Sequence, residues 1–371
     1  MRVGAPKEIK DNEFRVALTP AGVYELAQRG HLVMVESGAG VGAGMSDDDY
    51  RTAGAAIVEG PEPIFSSADL VVKVKEPQAE ERERLRPGQI LFAYLHLAAD
   101  RRQALDLMRS GAICVAYETV TSPFGGLPLL APMSEIAGRL APQAGARCLE
   151  KSMGGRGVLL SGAPGVPPAE VLILGAGAVG TQATMIALGM GASVTVADHG
   201  AEPLRRLSAR FGNAARTIFS TPTAIAELVR RADLVIGAAL IPGAAAPKLV
   251  SRGMVAGMKP GSVIVDVAID QGGCCETSHP TTHSDPTYVV DSVVHYCVTN
   301  MPGAVPRTST FALASAILPF VLALADKGLG ALREDPHLAA GLTVARGEIV
   351  NASVATALGL PVAPAERASR V

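Results

Sequence analysis

Nowhere does this sequence carry five or more charges of one sign in a row. With 33 Lys and Arg against 35 Asp and Glu, a formal net charge of −2 leaves no electrostatic footprint for nucleic acid or an anionic membrane surface. The opening residues hold no basic segment followed by an apolar block, and the five cysteines are odd in number and without framework spacing. Both features predict the cytoplasm as the compartment. Internal repeats and low-complexity tracts are absent beyond an Ala/Gly bias. Two uncharged runs, 171–197 and 308–325, resemble membrane spans only superficially. The first is broken by five glycines, and the second contains Pro319 and is barely long enough for ~30 Å of hydrocarbon. Both read as buried core segments, so neither membrane nor nucleic acid is an expected partner, and a small molecule is.

What is present is apolar bulk: 48% hydrophobic residues in a chain of 371, enough for two cores and too long for one. Short β-branched runs alternate with helix-like segments from the start: "HLVMVESG", "DDDYRTAG", "ADLVVKVKEP", "ERERLRPG", "GQILFAYLHL", "DRRQALDLMRSG" and "AICVAYETV". Such alternation means parallel strands joined by crossover helices. After a Gly- and Pro-rich patch at 154–168 the rhythm restarts with "VLILG", "SVTVAD", "ADLVIGA" and "GSVIVDVA". Two α/β units follow. A helix near 134–152, opened by Ser134 as a capping residue with Glu135 in its first turn, and an apolar helix near 308–327 flank the second unit. The chain is therefore expected to leave the first unit, build the second and return, with 329–371 packing on the first.

The second unit opens with G-x-G-x-x-G at Gly175, Gly177 and Gly180. Alone the spacing is weak in a chain of 40 glycines, but an apolar strand precedes it, a helix follows, and Asp198 ends the next strand 23 residues after the first glycine. That context is the dinucleotide fingerprint, with the helix N-terminus facing the pyrophosphate. Asp198 would accept hydrogen bonds from the adenosine ribose and repel a 2′-phosphate, so NAD is expected over NADP. Arg205 and Arg206 keep NADP open, and a solvated turn carboxylate is the ordinary alternative for Asp198.

In the first unit three basic residues stand where apolar strands stop, the edge at which parallel sheets bind ligands. Lys75 closes "LVVKVKEP", His96 closes "ILFAYLHL", and Arg15 lies in a polar turn before Pro20. Each has an ordinary reading: Lys73 or Lys75 as an edge lysine whose head snorkels to water, His96 as a core histidine, Arg15 as a surface ion pair with Glu13 or Glu8. Together, beside a dinucleotide fold, they suit a small carboxylate that undergoes proton transfer.

Several stretches resemble the L-alanine dehydrogenases and the wider group that includes the soluble domain of nicotinamide nucleotide transhydrogenase. They are "VGAPKEIKDNEFRVALTPAGV", "VKVKEP", "LFAYLHLAAD", "PLLAPMSEIAGRLAPQAGA", the fingerprint, "RADLVIGAALIPGAAAPKLV", "MKPGSVIVDVAIDQGGC" and "NMPGAVPRTSTFAL", in order along nearly the whole chain. The resemblance implies two Rossmann-like, doubly wound domains, with an NAD-binding domain (129–307) inserted into a discontinuous catalytic domain (1–128 and 308–371). It further implies a homohexamer that interconverts L-alanine with pyruvate and ammonium. By match to the family motifs, Arg15 and Lys75 hold the substrate carboxylate, and His96 and Asp270 are the acid/base residues. The cofactor would lie along Ser134, Gly175, Gly177, Ala178, Val179, Gly180, Asp198, Ser220, Ala239 and Leu240, then Val267, Ala268, Ile269, Asp270, His279, Val298, Thr299, Asn300 and Met301. His96 and Asp270 fall in different domains, so cleft closure is expected to gate the reaction.

The sequence departs from the family pattern at Pro142, inside the helix that begins near Ser134, where an interior proline costs ~3 kcal/mol unless the helix is already kinked. It departs again at Pro203, where a basic residue is expected near the adenosine, and in "AIDQGGCCETSHPTTH" (268–283), at Cys275, His279 and His283. His279 stands where the family carries an Arg near the cofactor phosphates. A histidine is cationic only below about pH 6.5, which predicts weaker NAD binding as pH rises. Cys274, Cys275, His279 and His283 supply zinc-ligand types, but adjacent cysteines chelate poorly and Pro280 stiffens the loop, so no metal is expected. Three other readings compete: a related small amino-acid or glyoxylate-aminating dehydrogenase, a transhydrogenase-like nucleotide-binding subunit, and a non-catalytic NAD or zinc sensor.

Overall fold

The computed structural model describes residues 1–239 and 246–363. They fold as two compact units, one from 1–133 with 305–363 and the other from the described residues of 134–304. Unit 1 begins with six strands: β1 (Arg2–Ala5), β2 (Leu32–Glu36), β3 (Ala56–Val58), β4 (Leu70–Val72), β5 (Ile90–Ala93) and β6 (Ile113–Ala116). Unit 2 adds β7 (Glu170–Leu174), β8 (Ser193–Asp198), β9 (Ala215–Phe219), β10 (Leu234–Gly237), β11 (Val263–Asp266), β12 (Thr287–Val290) and β13 (Val293–Tyr296). The chain then returns to unit 1 with β14 (Leu342–Ala345) and β15 (Glu348–Ile349).

The unit 1 sheet has the order β15-β14-β6-β5-β4-β1-β2-β3, parallel from β6 to β3, with β14 antiparallel to β6. Unit 2 has the order β12-β13-β11-β10-β7-β8-β9, parallel except for β12. Both are doubly wound: strand order reverses between β1 and β4 in the first and between β7 and β10 in the second. Helices cover the sheet faces, which is why central strands such as Leu70–Val72, Ile90–Ala93 and Leu234–Gly237 are buried along their whole length.

The strands are shorter than their apolar runs suggest. The strands end at Val72 in β4, at Ala93 in β5 and at Asp266 in β11, with only the Lys73 N–H to Phe92 carbonyl and Tyr94 N–H to Val74 carbonyl bonds beyond the first two, so Lys75, His96 and Asp270 lie in the turns beyond rather than closing strands. His96 is left-handed (φ 50°) at the start of a 3-10 turn, Leu97–Ala99, and Asp270 sits inside a 3-10 helix, Val267–Gln271. Ser134 is not a cap either. The helix runs Ala131–Cys148, preceded by a turn in which the Leu130 and Ala131 N–H groups donate to the Leu127 carbonyl. Pro132, with its φ preset and no N–H to satisfy, fits the first helical turn and outweighs the Ser-Glu signal two residues on. The helix passes through Pro142 without ending. The helix Pro306–Lys327 is long and apolar enough to cross a membrane by length and composition, with mean hydropathy 1.9 over its best window. Only 44% of that window is buried, so it is not the wholly buried segment expected.

In the middle of β13, His295 is fully buried. Its Nδ1 lies 3.0 Å from the Val293 carbonyl and its Nε2 2.8 Å from the Thr277 hydroxyl, a pattern that the neutral tautomer satisfies at both nitrogens. Burial pushes its pKa below the usual histidine value. The unfolded chain then binds this proton more readily than the folded one. Stability is thus complete above about pH 6.5 and is lost as pH falls below it, by up to about 1.4 kcal/mol per unit, until the folded-state pKa is passed. Thermal unfolding between about pH 7.5 and 5.5 should show this slope, and His295→Gln should flatten it. An equal slope in the variant would assign the effect to other groups.

Candidate active site

In unit 1 the three basic candidates all follow the carboxyl ends of strands at or beside the point where strand order reverses, the place where loops diverge and leave a crevice. Arg15 comes from the segment after β1, Lys75 from the turn after β4, and His96 from the turn after β5. Arg15 is 2% exposed and is no surface pair. Its Nε and Nη2 donate to the two oxygens of Glu13 at 2.6 and 2.5 Å, and its Nη1 lies 3.1 Å from the Met133 sulfur. Burial opposes the guanidinium charge, but the Glu13 carboxylate more than offsets it, so the pKa is raised and the group stays cationic. The bidentate pairing fixes the plane of the fork.

Lys73 and Lys75, just past the end of β4, differ in burial. Lys73 is fully buried, donating to Glu8 at 3.0 Å and to Glu81 at 2.8 Å. Burial opposes its charge, and the two carboxylates hold its pKa above the usual lysine value. Lys73 is an interior counter-ion rather than a snorkelling edge residue. Lys75 is half-buried, and its backbone N–H, with that of Val74, donates to Glu8 Oε1. His96 is exposed, its ring parallel to Tyr94 at 5.8 Å, and Tyr94 donates its hydroxyl to the Leu129 carbonyl at 2.5 Å.

In unit 2 the glycine turn joins β7 to the helix Ala178–Gly189 at the β7/β10 reversal, and each glycine has its own reason. Gly175 is at φ 111°, and a Cβ there would lie 2.7 Å from the Ala238 carbonyl oxygen. A Cβ at Gly180 would lie 1.8 Å from the Gly175 carbonyl oxygen, so the helix can approach the turn only without it. A Cβ at Gly177 would meet nothing within 4 Å. The space over Gly177 is therefore open on the protein side, beside the N–H-bearing start of the helix at the exposed Ala178 and half-buried Val179, which suits an anionic diphosphate. Asp198 Oδ2 accepts the Ala176 N–H at 2.7 Å and its Oδ1 the Gly200 N–H at 2.7 Å. A carboxylate has about four acceptor positions, so two remain for ribose hydroxyls. The residues present fit a dinucleotide.

Around that turn, the Ser220 N–H donates to the Asp198 carbonyl, and Ala239 borders Gly175. Leu240 lies outside the described residues. Val267, Ala268, Ile269 and Asp270 form the 3-10 helix after β11, and Val298, Thr299, the left-handed Asn300 (φ 59°) and Met301 follow β13. Ser134, inside its helix, is half-buried. The His279 ring stacks on Tyr288 at 3.6 Å, and His283 Nε2 donates to the Asn300 carbonyl at 3.1 Å. Cys274 and Cys275 are fully buried, and burial pushes the Cys274 thiol up to about 12. Its Sγ–H points to the Ala239 carbonyl, 3.4 Å away. Among the described residues no three His, Cys, Asp or Glu side chains converge as a metal site.

Three carboxylates did not stand out in the sequence as site-building groups: Glu8, Glu118 and Asp266. Asp266, at the end of β11, is fully buried and accepts from the Cys274 and Cys275 N–H groups and the Ser278 hydroxyl, at 2.8, 3.2 and 2.6 Å. Their position just past strands ending in apolar runs was the available signal.

The family profile described as Alanine dehydrogenase/PNT, N-terminal domain, matches residues 4–137, and the profile for its C-terminal domain matches 141–352. The chain belongs to the alanine dehydrogenase/PNT family. A curated relative from Halomonas elongata, named alanine dehydrogenase, is 59% identical over 97% of each chain. A solved structure titled L-alanine dehydrogenase is 51% identical, covers 97% of this chain and 99% of its own, and superposes with a TM-score of 0.94. A transhydrogenase from Sinorhizobium meliloti superposes with a TM-score of 0.81 at 27% identity, over 95% of this chain and 100% of its own. Two doubly wound sheets, one carrying the glycine turn, are the fold of this family.

The glycines allow a test that separates folding from binding. Gly177→Ala should leave the melting temperature within about 2 °C of the parent while weakening NADH binding about tenfold or more, because the added methyl fills ligand space alone. Gly180→Ala should fail to fold stably. NADH titration by fluorescence, beside thermal melts, checks both, and unchanged NADH affinity in Gly177→Ala would remove the turn from the binding site.

Proposed function

We propose that this chain catalyses the reversible NAD-dependent oxidative deamination of L-alanine to pyruvate and ammonium. In this reading Arg15 and Lys75 bind the substrate carboxylate, and His96 and Asp270 serve as acid/base residues. The observation that carries it is the placement of Arg15, Lys75 and His96 on successive turns at the carboxyl edge of the unit 1 sheet. The cofactor would be held by the Gly175–Gly180 turn, Asp198 and the segments after β9, β10, β11 and β13. When bound, NAD supplies the acceptor for the hydride leaving alanine Cα.

The chain's own groups do the rest. Hydride can leave Cα only when the amine is neutral, since its lone pair forms the imine as the C–H bond breaks. His96 takes that proton. Water then adds to the iminium carbon, and the resulting carbinolamine collapses to ketone and ammonia, so one group must both accept and return protons. An exposed imidazole suits this and contributes typically ~10²–10⁴-fold. Two cations on the carboxylate orient Cα, and Lys75 also polarises the developing carbonyl. Asp270, exposed on the 3-10 helix after β11, is the second acid/base group, carried by unit 2. A homohexamer in the cytoplasm is part of the same reading. The incompletely buried Pro306–Lys327 helix supports self-association, because it leaves apolar surface for another copy to cover.

The transhydrogenase reading is the weaker one. Hydride exchange between two nucleotides requires no carboxylate clamp, whereas Arg15 is buried and oriented here by a dedicated Glu13. Purified protein with L-alanine and NAD at alkaline pH should generate NADH, followed by absorbance, with a slower rate on NADP and on other small amino acids. No NADH above the alanine-free control would overturn the proposal. His96→Ala should lower turnover by about 10²–10⁴-fold while NADH binding stays intact. Loss of NADH binding in that variant would instead give His96 a structural part.

A further inference from the structure

The backbone of His96 is unusual. It is a non-glycine residue at φ 50°, ψ 35°, a conformation that costs ~1–2 kcal/mol for an L side chain and persists only when its surroundings impose it. Two consecutive N–H groups, of Leu95 and His96, point to the same side there. Such a pair forms a small anion-binding concavity. One carboxylate fills it. Glu118 Oε1 accepts from His96 N–H at 2.6 Å and from Leu95 N–H at 3.2 Å, and Glu118 Oε2 lies 3.2 Å from the same Leu95 nitrogen. Glu118 sits in the 3-10 turn Tyr117–Thr119 directly after β6, the strand that pairs in parallel with β5, so two neighbouring strand ends are joined by this side chain.

The other sides of the turn are fixed as well. The Leu95 carbonyl accepts from Gln103 Nε2 at 2.6 Å, and the His96 carbonyl from the Ala99 N–H at 3.1 Å. The His96 ring then lies parallel to Tyr94, whose hydroxyl is itself tied to the Leu129 carbonyl. The N–H and carbonyl groups of both Leu95 and His96 are therefore committed, while the His96 imidazole stays exposed.

We infer that Glu118 is a positioning residue for the reaction: its carboxylate, seated in the Leu95–His96 concavity, holds His96 left-handed and so aims the imidazole. The inference rests on the acid/base role proposed for His96. Without the carboxylate, two N–H groups lose their acceptor and the strained φ loses its main support. The turn relaxes toward right-handed backbone, and the ring swings away from its direction over Tyr94. A displacement of about 1 Å at a proton-transfer group costs about 10²-fold.

The test compares wild type, Glu118→Ala, Glu118→Gln and His96→Ala in steady-state alanine oxidation, NADH titration and thermal melts. Glu118→Ala should lose about 100-fold in kcat, with KM for NAD and NADH affinity within about twofold of wild type. Glu118→Gln keeps the shape and one carbonyl acceptor but loses the charge, and should show a kcat about three- to tenfold below wild type, well above that of Glu118→Ala. If Glu118→Ala does not fold, Glu118→Gln decides alone: a fall in kcat at unchanged KM for NAD supports the role, and an unchanged kcat overturns it. A kcat in Glu118→Ala within about threefold of wild type, or a parallel loss of NADH affinity, also overturns it. If His96→Ala itself turns over at the wild-type rate, the proposed role of His96 has failed and this inference falls with it. If His96→Ala is inactive and Glu118→Ala is not, only the present inference fails.

Discussion

Backbone N–H groups in the turns that leave a parallel sheet have no ladder partner, and at a buried rim each needs an acceptor. This chain meets the need with carboxylates. Glu8 takes the N–H groups of Val74 and Lys75, Glu118 those of Leu95 and His96, Asp198 those of Ala176 and Gly200, and Asp266 those of Cys274 and Cys275. In each case one side chain, rooted on a different segment from most of what it holds, fixes a turn that carries a candidate substrate or cofactor contact. A carboxylate suits the task better than a hydroxyl, because its two oxygens can each accept twice and its charge strengthens every bond it takes.

The same device creates an electrostatic demand inside unit 1. Glu8, Glu13 and Glu81 are all buried, and a buried carboxylate needs a cation within reach. Lys73 answers two of them and Arg15 the third. The balance is imperfect at Glu8. Burial raises its pKa more than Lys73 lowers it, while nearby Glu81 adds to the rise. Lys73 thus stabilises the scaffold under the turn that carries Lys75, two residues on. Two lysines that look equivalent in "VKVKEP" differ in surroundings: Lys73 is sealed between Glu8 and Glu81, whereas Lys75 is half-buried, and the proposed carboxylate contact falls to Lys75.

The periodic features of the fold were legible in the sequence: two parallel sheets, their interleaved helices and the glycine turn all follow from apolar runs and spacing. Strand ends were not. Apolar residues such as Val74, Tyr94 and Leu95 continue the pattern past Val72 or Ala93, yet the strands end there with only a last bond, Tyr94 N–H to the Val74 carbonyl, and composition does not mark where a buried strand gives way to a buried turn. The Ser134 cap misled for a related reason. A local hydrogen-bonding preference was weighed without the Leu127 turn and Pro132, which start the helix earlier. The carboxylates at the rim were invisible because nothing in "YETV" or "VDVA" marks a side chain that reaches across to a neighbouring turn. Residue types were readable, and their pairing across strands was not.

The three glycines show how far identical letters can differ in what they do. Gly175 is required by a backbone angle and by the Ala238 carbonyl, and Gly180 by the carbonyl of Gly175 itself, so both belong to the protein's own packing. Gly177 is required by neither, since its φ is −74° and the space around it is open. A glycine with no internal reason, at the exposed start of a helix and beside an aspartate with acceptor positions to spare, is where the proposed reading places the dinucleotide. Among the three, it is the one position for which the fold itself gives no reason.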